Sequence, residues 1–336
     1  MTELGVTAHT VLTATAPFEL TCSLRALSSF TPCAADQFVL AGCVRKAFLH
    51  PADPTRAVVA EVAGRDDGVP GVELTVHSED PLTPGELAAV GDQVAGWLSL
   101  HDDRAAFLLA ARADPALAPV LAVAEGLHQV RFPSLAEAAA YFALLQHSAQ
   151  WFATARKRRL TAAHGPLGIV GGTHFRAFPA MSTLTAIPRH DLIRFAGSPV
   201  RTDRLRAVLT GVAALDEHWL RTGPYDAVLA ALRAVKGVGT YTARGLLLRA
   251  LGRPDDVPLE LPQFAATAEK LYGTPPPSPA ELREWYGPWI GWWAYTCRTA
   301  VGWLEREEKA RARAAARAGR RASPRPARAR KATAAV

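Results

Sequence analysis

The chain has 336 residues, 49% hydrophobic and 21% charged, which is enough to bury a large core and too apolar for a disordered protein. No apolar run approaches the roughly 20 residues of a membrane span, and no basic segment precedes an apolar run at the N-terminus, so a cytoplasmic protein without a secretory signal is expected. The net charge of +7 is carried by the C-terminus: ten Lys or Arg and no acid lie from Lys309 onward, and subtracting these ten leaves −3 on the rest, so the charge by itself does not make the folded part a nucleic-acid binder.

Residues 17 to about 80 read as antiparallel strands with turns. The runs are Phe18 to Leu27, Phe38 to Val44, Ala57 to Val62 and Val72 to Val76, separated by turn signals such as Asp53-Pro54 and Gly68-Val69-Pro70-Gly71. Thr83 and Glu86 have capping-box spacing and open a helix to about Leu100. From His101 the pattern is helical, and Asp114-Pro115 breaks one helix. Ser134 and Glu137 form a second capping box before a helix expected to run from Leu135 to about Ala163. Within it lies Gln146-His147-Ser148-Ala149-Gln150, followed by the basic run Arg156 to Arg159. Residues 165–186 are Gly-rich and fit two short strands or a loop. Helices follow over 187–196 and 201–220.

The stretch from Pro224 to Glu260 organises the rest. Pro224 suits a first helical turn, and Val228, Leu229, Leu232 and Val235 give that helix an apolar face. Gly237 and Gly239 flank Val238, allowing a sharp turn and close approach by a large ligand. Thr240 can cap the next helix, whose stripe is Ala243, Leu246, Leu247, Ala250 and Leu251. The amides of Gly237, Gly239 and Thr240 at that N-terminus make a phosphate site. Gly252 ends the helix, and Pro258 and Glu260 follow. Beyond it come a helix over 264–271, a Thr274-Pro275-Pro276-Pro277 spacer and a third capping box at Ser278 and Glu281. Trp285, Trp289, Trp292 and Trp293 have the offsets of one helix face. The C-terminal segment ARARAAARAGRRASPRPARARKA is expected to be disordered, and either binds phosphate backbones or solubilises the protein.

Val235-Lys236-Gly237-Val238-Gly239-Thr240-Tyr241-Thr242-Ala243 resembles the L-P-G-[VI]-G-x-x-[TV]-A hairpin of the helix-hairpin-helix DNA glycosylases, the superfamily of 3-methyladenine DNA glycosylase II and 8-oxoguanine glycosylase. Val257-Pro258-Leu259-Glu260 resembles the V-[PA]-V-D segment that carries the family's catalytic Asp, with Glu in its place. Tyr286-Gly287-Pro288-Trp289-Ile290-Gly291-Trp292 is similar to W-x-P-[WY]-x-[GS]-[WY] near the end of these enzymes. The resemblance spans about Pro17 to Trp303 and is strongest over 224–260 and 285–298.

It implies an α+β, mostly α fold: a small β-rich N-terminal domain with one closing helix (1–100), a helical glycosylase body (101–305) with the helix-hairpin-helix at 224–252, and a basic tail (306–336). It implies a monomer acting on double-stranded DNA with a damaged base, expected to be alkylated. Glu260 is the implied catalytic carboxylate, with Asp255 and Asp256 as nearby alternatives. Tyr241, Trp289 and Arg298 are implied to line the base pocket. Gln146 and His147 match a minor-groove segment, and Lys236, Gly237, Val238, Gly239 and Thr240 are implied to meet phosphate. Tyr241 stands where bifunctional relatives place a lysine, and tyrosine forms no Schiff base, so hydrolysis without strand cleavage is expected.

No zinc, Walker or dinucleotide motif is present, and Cys22, Cys33, Cys43 and Cys297 lack iron–sulfur spacing and read as reduced core thiols. The one ion implied is a monovalent cation, Na or K, on the main-chain carbonyls of Arg233, Val235 and Val238. A binding protein disarmed by the Asp-to-Glu change is the second class of function, and a helical protein with no nucleic-acid role is the third.

Overall fold

In the computed structural model, which describes residues 3–33 and 36–322, the N-terminal strands make one antiparallel sheet. The strands are β1 (Gly5–Thr13), β2 (Gln37–Leu40), β3 (Cys43–Leu49), β4 (Ala57–Gly64) and β5 (Gly71–Ser78), in the order β1-β5-β4-β3-β2. Alternation decides the faces: Val72, Leu74 and Val76 of β5 and Val58, Ala60 and Val62 of β4 all enter one core. The opposite face, through Ala47, Ala57 and Val59, is covered by a second hairpin, β6 (Leu167–Val170) and β7 (Thr173–Arg176), which the helical body sends back across the sheet. A Cβ on Gly168 would lie 2.7 Å from Leu4 and 3.1 Å from Val59, so a larger residue would have to push these side chains aside.

The helices are α1 (Leu20–Ser29), α2 (Pro84–Leu98), α3 (Ala105–Ala113), α4 (Ala118–Ala124), α5 (Leu135–Leu145), α6 (Gln150–His164), α7 (Met181–Ala186), α8 (Arg189–Ala196), α9 (Pro199–Ala213), α10 (Glu217–Thr222), α11 (Tyr225–Ala234), α12 (Thr240–Arg249), α13 (Pro262–Tyr272), α14 (Pro279–Tyr286) and α15 (Ile290–Ala322). The capping boxes of α2 and α14 close in both directions. At α5 only Ser134 caps, because the Glu137 carboxylate turns inward to Lys157 and Cys33. Among the described residues no single helix is long and apolar enough to cross a membrane.

Several expectations are corrected. Phe18 to Leu27 is no strand: Leu20, Leu24 and Leu27 recur at helical spacing and bury the inner side of α1. Phe38 to Val44 is two strands, because Gly42, at φ +83°, turns the chain between β2 and β3. β1 precedes the expected β region and is an edge strand, with Val6 and Val11 facing out. The helix expected over 135–163 breaks between Leu145 and Gln150, and 201–220 divides where Asp216 caps α10. Trp285 lies on α14 and is half exposed, whereas Trp293 is fully buried on α15, so the four tryptophans do not share one face. The segment expected to be disordered continues α15 as a helix to Ala322, exposed as far as Arg317, while residues 323–336 lie outside the described residues.

Two large cores result. The first joins the sheet and α1–α4 to Val257, Leu259 and α13–α15; the second is built by α5–α12. The boundary expected at residue 100 therefore runs through the first core, because α3, α4 and the C-terminal helices pack with the sheet. A buried ionic knot ties the second core to the loop before β2: Lys157 Nζ meets Asp36 Oδ2 at 2.5 Å and Glu137 Oε1 closer still, with Cys33 Sγ at 3.6 Å. Burial opposes both charges, but their attraction outweighs it, holding the ammonium above the usual lysine range and the Glu137 carboxyl below its own.

Candidate functional site

α11 and α12 are joined by residues 235–239. Val238 N–H donates to Val235 carbonyl at 2.9 Å, closing the turn. Gly237 adopts φ +90°, which favours glycine, and a Cβ there would crowd Val208 at 3.1 Å. Gly239 differs: its φ of −85° is ordinary, and a Cβ would meet nothing within 4 Å. Gly239, not Thr240, is the N-cap of α12; Thr240 is the first helical residue, and no side chain caps this end. The open amides of α12 thus face outward beside exposed Lys236, Gly239 and Thr240. Val235 and Val238 are buried, and Arg233 is exposed at the end of α11.

Gln146 and His147 occupy the break between α5 and α6 rather than a helix face. Gln146 Nε2 donates to the Gly237 carbonyl at 2.7 Å and to Thr242 Oγ1 at 3.2 Å, which commits its amide to the hairpin. His147 takes φ +52°, is exposed, and its carbonyl accepts from Arg201 Nη2 at 2.9 Å. Trp151, 69% exposed, stands just beyond. These residues and the hairpin turn form one continuous outer surface.

Beneath it, at the seam of the two large cores, lies a cavity of about 450 Å³. Tyr241 and Arg298 line it, together with Phe142, Tyr141, Arg249 and Tyr295. Gly245 admits the wall: a Cβ there would lie 2.6 Å from the Phe142 ring. Trp289, implied to line the pocket, does not. It sits in the short turn between α14 and α15 and packs against the first core, because Gly291 anchors the start of α15 on Pro254 through an N–H···O bond of 2.8 Å.

Glu260 lies in the turn before α13, next to but not lining the cavity, whose wall includes Val257 and Pro258 of the same turn. Its side chain is 60% exposed and accepts from Arg283 Nη2 at 2.9 Å. Its own backbone N–H and then Arg283 hold the carboxyl below the ordinary carboxylate range. Asp256 is clamped by Arg244 and by Arg283 Nε at 3.2 Å, and Asp255 pairs with Arg253 at 3.3 Å. The two aspartates brace the turn, and Glu260 is the carboxylate with one face open to solvent.

Sequence reading missed Arg244, Arg249 and Arg306 as cavity residues. Arg249 follows three leucines at the end of α12, where an arginine reads as complementing the helix C-terminus. Its guanidinium is instead drawn inward between the rings of Phe30 and Tyr295, at 4.6 and 5.0 Å, and Nη2 donates to Val130 carbonyl at 3.1 Å.

No protein-family model and no curated protein sequence matches the chain. Solved structures do. The 3-methyladenine DNA glycosylase from Archaeoglobus fulgidus superposes with a TM-score of 0.68 at 17% identity, covering 88% of this chain and 98% of that one. The apo 8-oxoguanine glycosylase/lyase of Clostridium acetobutylicum gives 0.63 at 16% identity, covering 89% and 98%. MBOgg1, in complex with a low-affinity DNA ligand, gives 0.65 at 16% identity, covering 90% and 99%. At such identities the likeness speaks for architecture: this chain has the fold of the helix-hairpin-helix DNA glycosylases.

Proposed function

We propose that this protein is a DNA glycosylase that hydrolyses the bond between a damaged base and its deoxyribose in duplex DNA. The observation that carries the reading is the cavity at the core seam, lined by Tyr241 just past the hairpin turn with open amides and by Val257 and Pro258 of the turn bearing Glu260. A base must leave the stack to be cut, and this cavity is the concave space that would receive it. The hairpin would hold phosphate through backbone amides and Lys236, without reading sequence. Gln146 would set the hairpin's position, and His147 and Trp151 would meet the duplex beside it.

The chemistry follows from the carboxylate. Bond cleavage builds positive charge on the sugar, which an anion near it stabilises, and the same group can orient the attacking water. Glu260 is ionised at neutral pH and has an open face. Tyr241 supplies no amine, so the chain would release the base by hydrolysis and leave an abasic site. The carbonyls of Arg233 and Val238 accept no hydrogen bond among the described residues, and that of Val235 accepts one, so lone pairs remain on all three with which they would hold a monovalent cation. Such an ion would supply positive charge between the hairpin and a DNA phosphate. Replacing K⁺ and Na⁺ by a bulky organic cation at equal ionic strength should then weaken duplex binding. The protein acts as a monomer in this reading.

One observation favours a second reading, a non-catalytic DNA-binding protein of the same fold. Glu260 is turned toward Arg283 and lies outside the cavity lining. Single-turnover excision on a panel of damaged duplexes, with Glu260→Gln alongside the parent, decides between them. Base release lost in the variant while duplex binding persists supports the enzyme; a parent that binds but releases nothing supports the second reading.

A further inference from the structure

The cavity lining holds four arginines, Arg244, Arg249, Arg298 and Arg306, and no Asp or Glu among the described residues. Arg244 is neutralised by Asp256. Arg249, Arg298 and Arg306 form no salt bridge among the described residues. Both Arg244 and Arg249 keep an Nε shut off from solvent with no hydrogen-bond partner, and the Tyr141 hydroxyl is in the same condition. A buried donor left without an acceptor is costly, and all three side chains form part of the cavity wall. The rest of the wall mixes aromatic rings such as Phe30, Phe142 and Tyr241 with aliphatic side chains and neutral polar ones, among them Gln150 and Gln263.

We infer that the cavity selects a neutral base whose edge offers carbonyl or ring-nitrogen acceptors, as oxidised and deaminated bases do, and rejects a base carrying the fixed positive charge of ring N-alkylation. This rests on the glycosylase reading and departs from the alkylated substrate implied by the sequence resemblance. Two physical reasons support it. Guanidinium groups pair with acceptor edges such as a purine O6 and N7, and leaving the site's donors unpaired penalises a base that lacks them. A cationic base would instead sit among uncompensated like charges in a partly desolvated site.

The reaction itself points the same way. When the C1′–N bond of a neutral base breaks, the electron pair goes to the base, which departs with developing negative charge. Guanidinium donors stabilise that charge. Water adds its hydroxyl to C1′, and its proton ends on the departing base by way of the Glu260 carboxylate or solvent. A cationic alkylated base leaves as a neutral molecule and gains nothing from the arginines. Arg249 is therefore assigned to the base edge, with Arg298 adding positive potential at the cavity wall.

The test uses the full chain in single-turnover excision from duplexes containing hypoxanthine, 8-oxoguanine or uracil, compared with 3-methyladenine and 7-methylguanine, each rate divided by its uncatalysed rate. At least one neutral base should exceed both cationic bases by about 100-fold or more. Arg249→Met should cut the rate on the neutral base by about 100-fold and leave the cationic bases unchanged or faster. Arg249 also packs between two rings, so Arg249→Lys and the exposed Arg298→Gln guard against a folding defect; both should narrow the ratio by about tenfold. Cationic bases excised as well as neutral ones, or variants that slow both classes equally, overturn the assignment. A parent that excises nothing overturns the glycosylase reading, and the selectivity is then decided by affinity for the same duplexes, where equal binding of both classes overturns it.

Discussion

Gln146 donates through Nε2 to the carbonyl of Gly237 at 2.7 Å, across 91 residues of sequence, and so fixes the break between α5 and α6 to the hairpin turn. Two outward-facing segments become one surface through this contact. Replacing Gln146 with Ala should cost about 1–2 kcal/mol of stability through the lost hydrogen bonds. It should also weaken duplex binding, because the hairpin amides and His147 lose their mutual register. Chemical denaturation together with gel-shift titration checks both; unchanged binding in a folded variant would separate this contact from DNA recognition.

The two hairpin glycines should respond differently. Gly239 has open space around its missing Cβ and an ordinary φ, so Gly239→Val should fold normally yet weaken binding to every duplex sequence alike, by obstructing a phosphate. Gly237→Ala is strained at φ +90° and crowds Val208, so it should lower thermal stability as well, by about 1–2 kcal/mol. Normal binding by Gly239→Val would show that DNA does not approach this turn.

The Glu260 carboxyl is held below its ordinary range, so its anion survives mild acid. Base release should stay level as pH falls from neutral through the ordinary carboxylate range and drop only below it. Glu260→Gln should remove this acid limb together with most of the rate, by about 100-fold or more. Glu260→Asp keeps the charge on a shorter arm and tests reach: a faster rate means that Glu is poorly fitted, a slower one that the site is adapted to it. An acid limb that persists in the Gln variant would move attention to Asp255 and Asp256.

Lys157 is fully buried between Asp36 and Glu137. Lys157→Met leaves both carboxylates without their cation and should destabilise the fold by about 3–5 kcal/mol. With Glu137 lowered and Lys157 raised, the pair's contribution is lost only as pH falls through the depressed carboxyl value or rises through the elevated lysine value. The parent's pair therefore contributes evenly from about pH 6 to 9, whereas in the variant burial raises the Glu137 carboxyl, so the loss caused by the substitution should grow as pH rises. Denaturant unfolding across that window measures it.

Arg306, at the cavity, and exposed Lys309, Arg313 and Arg317 recur at three- and four-residue spacing along α15. Truncation after Glu308, or the triple change of Lys309, Arg313 and Arg317 to Gln, should reduce the slope of log affinity against log salt without changing lesion preference. An unchanged slope would assign this segment to solubility alone.

Local chemistry was legible in the sequence wherever it is written into short spacings. The capping boxes at Thr83 and Ser278 and the stripe of α12 each depend on residues within a few positions of one another, and the Gly237 turn is as local. Phe18 to Leu27 was misread because a short apolar run fits a strand as well as a helix, and only the side that packs against the sheet decides. The break after Leu145 was invisible for a related reason: it is held by Gln146 bonding to a turn 91 residues away. The hairpin and the Glu260 turn could be named from motif spacing, but not their relation to a cavity. Pocket membership depends on which helices meet at the seam of two cores, so Trp289 falls outside the lining while Arg249, read as a helix-end cation, turns inward between Phe30 and Tyr295. The sequence by itself determined the helix caps at Thr83 and Ser278, the apolar stripe of α12 and the Gly237 turn, because those rest on local backbone preference and periodicity. Tertiary packing alone decided the charge of the cavity, because that charge is the sum of side chains brought together from α12 and α15.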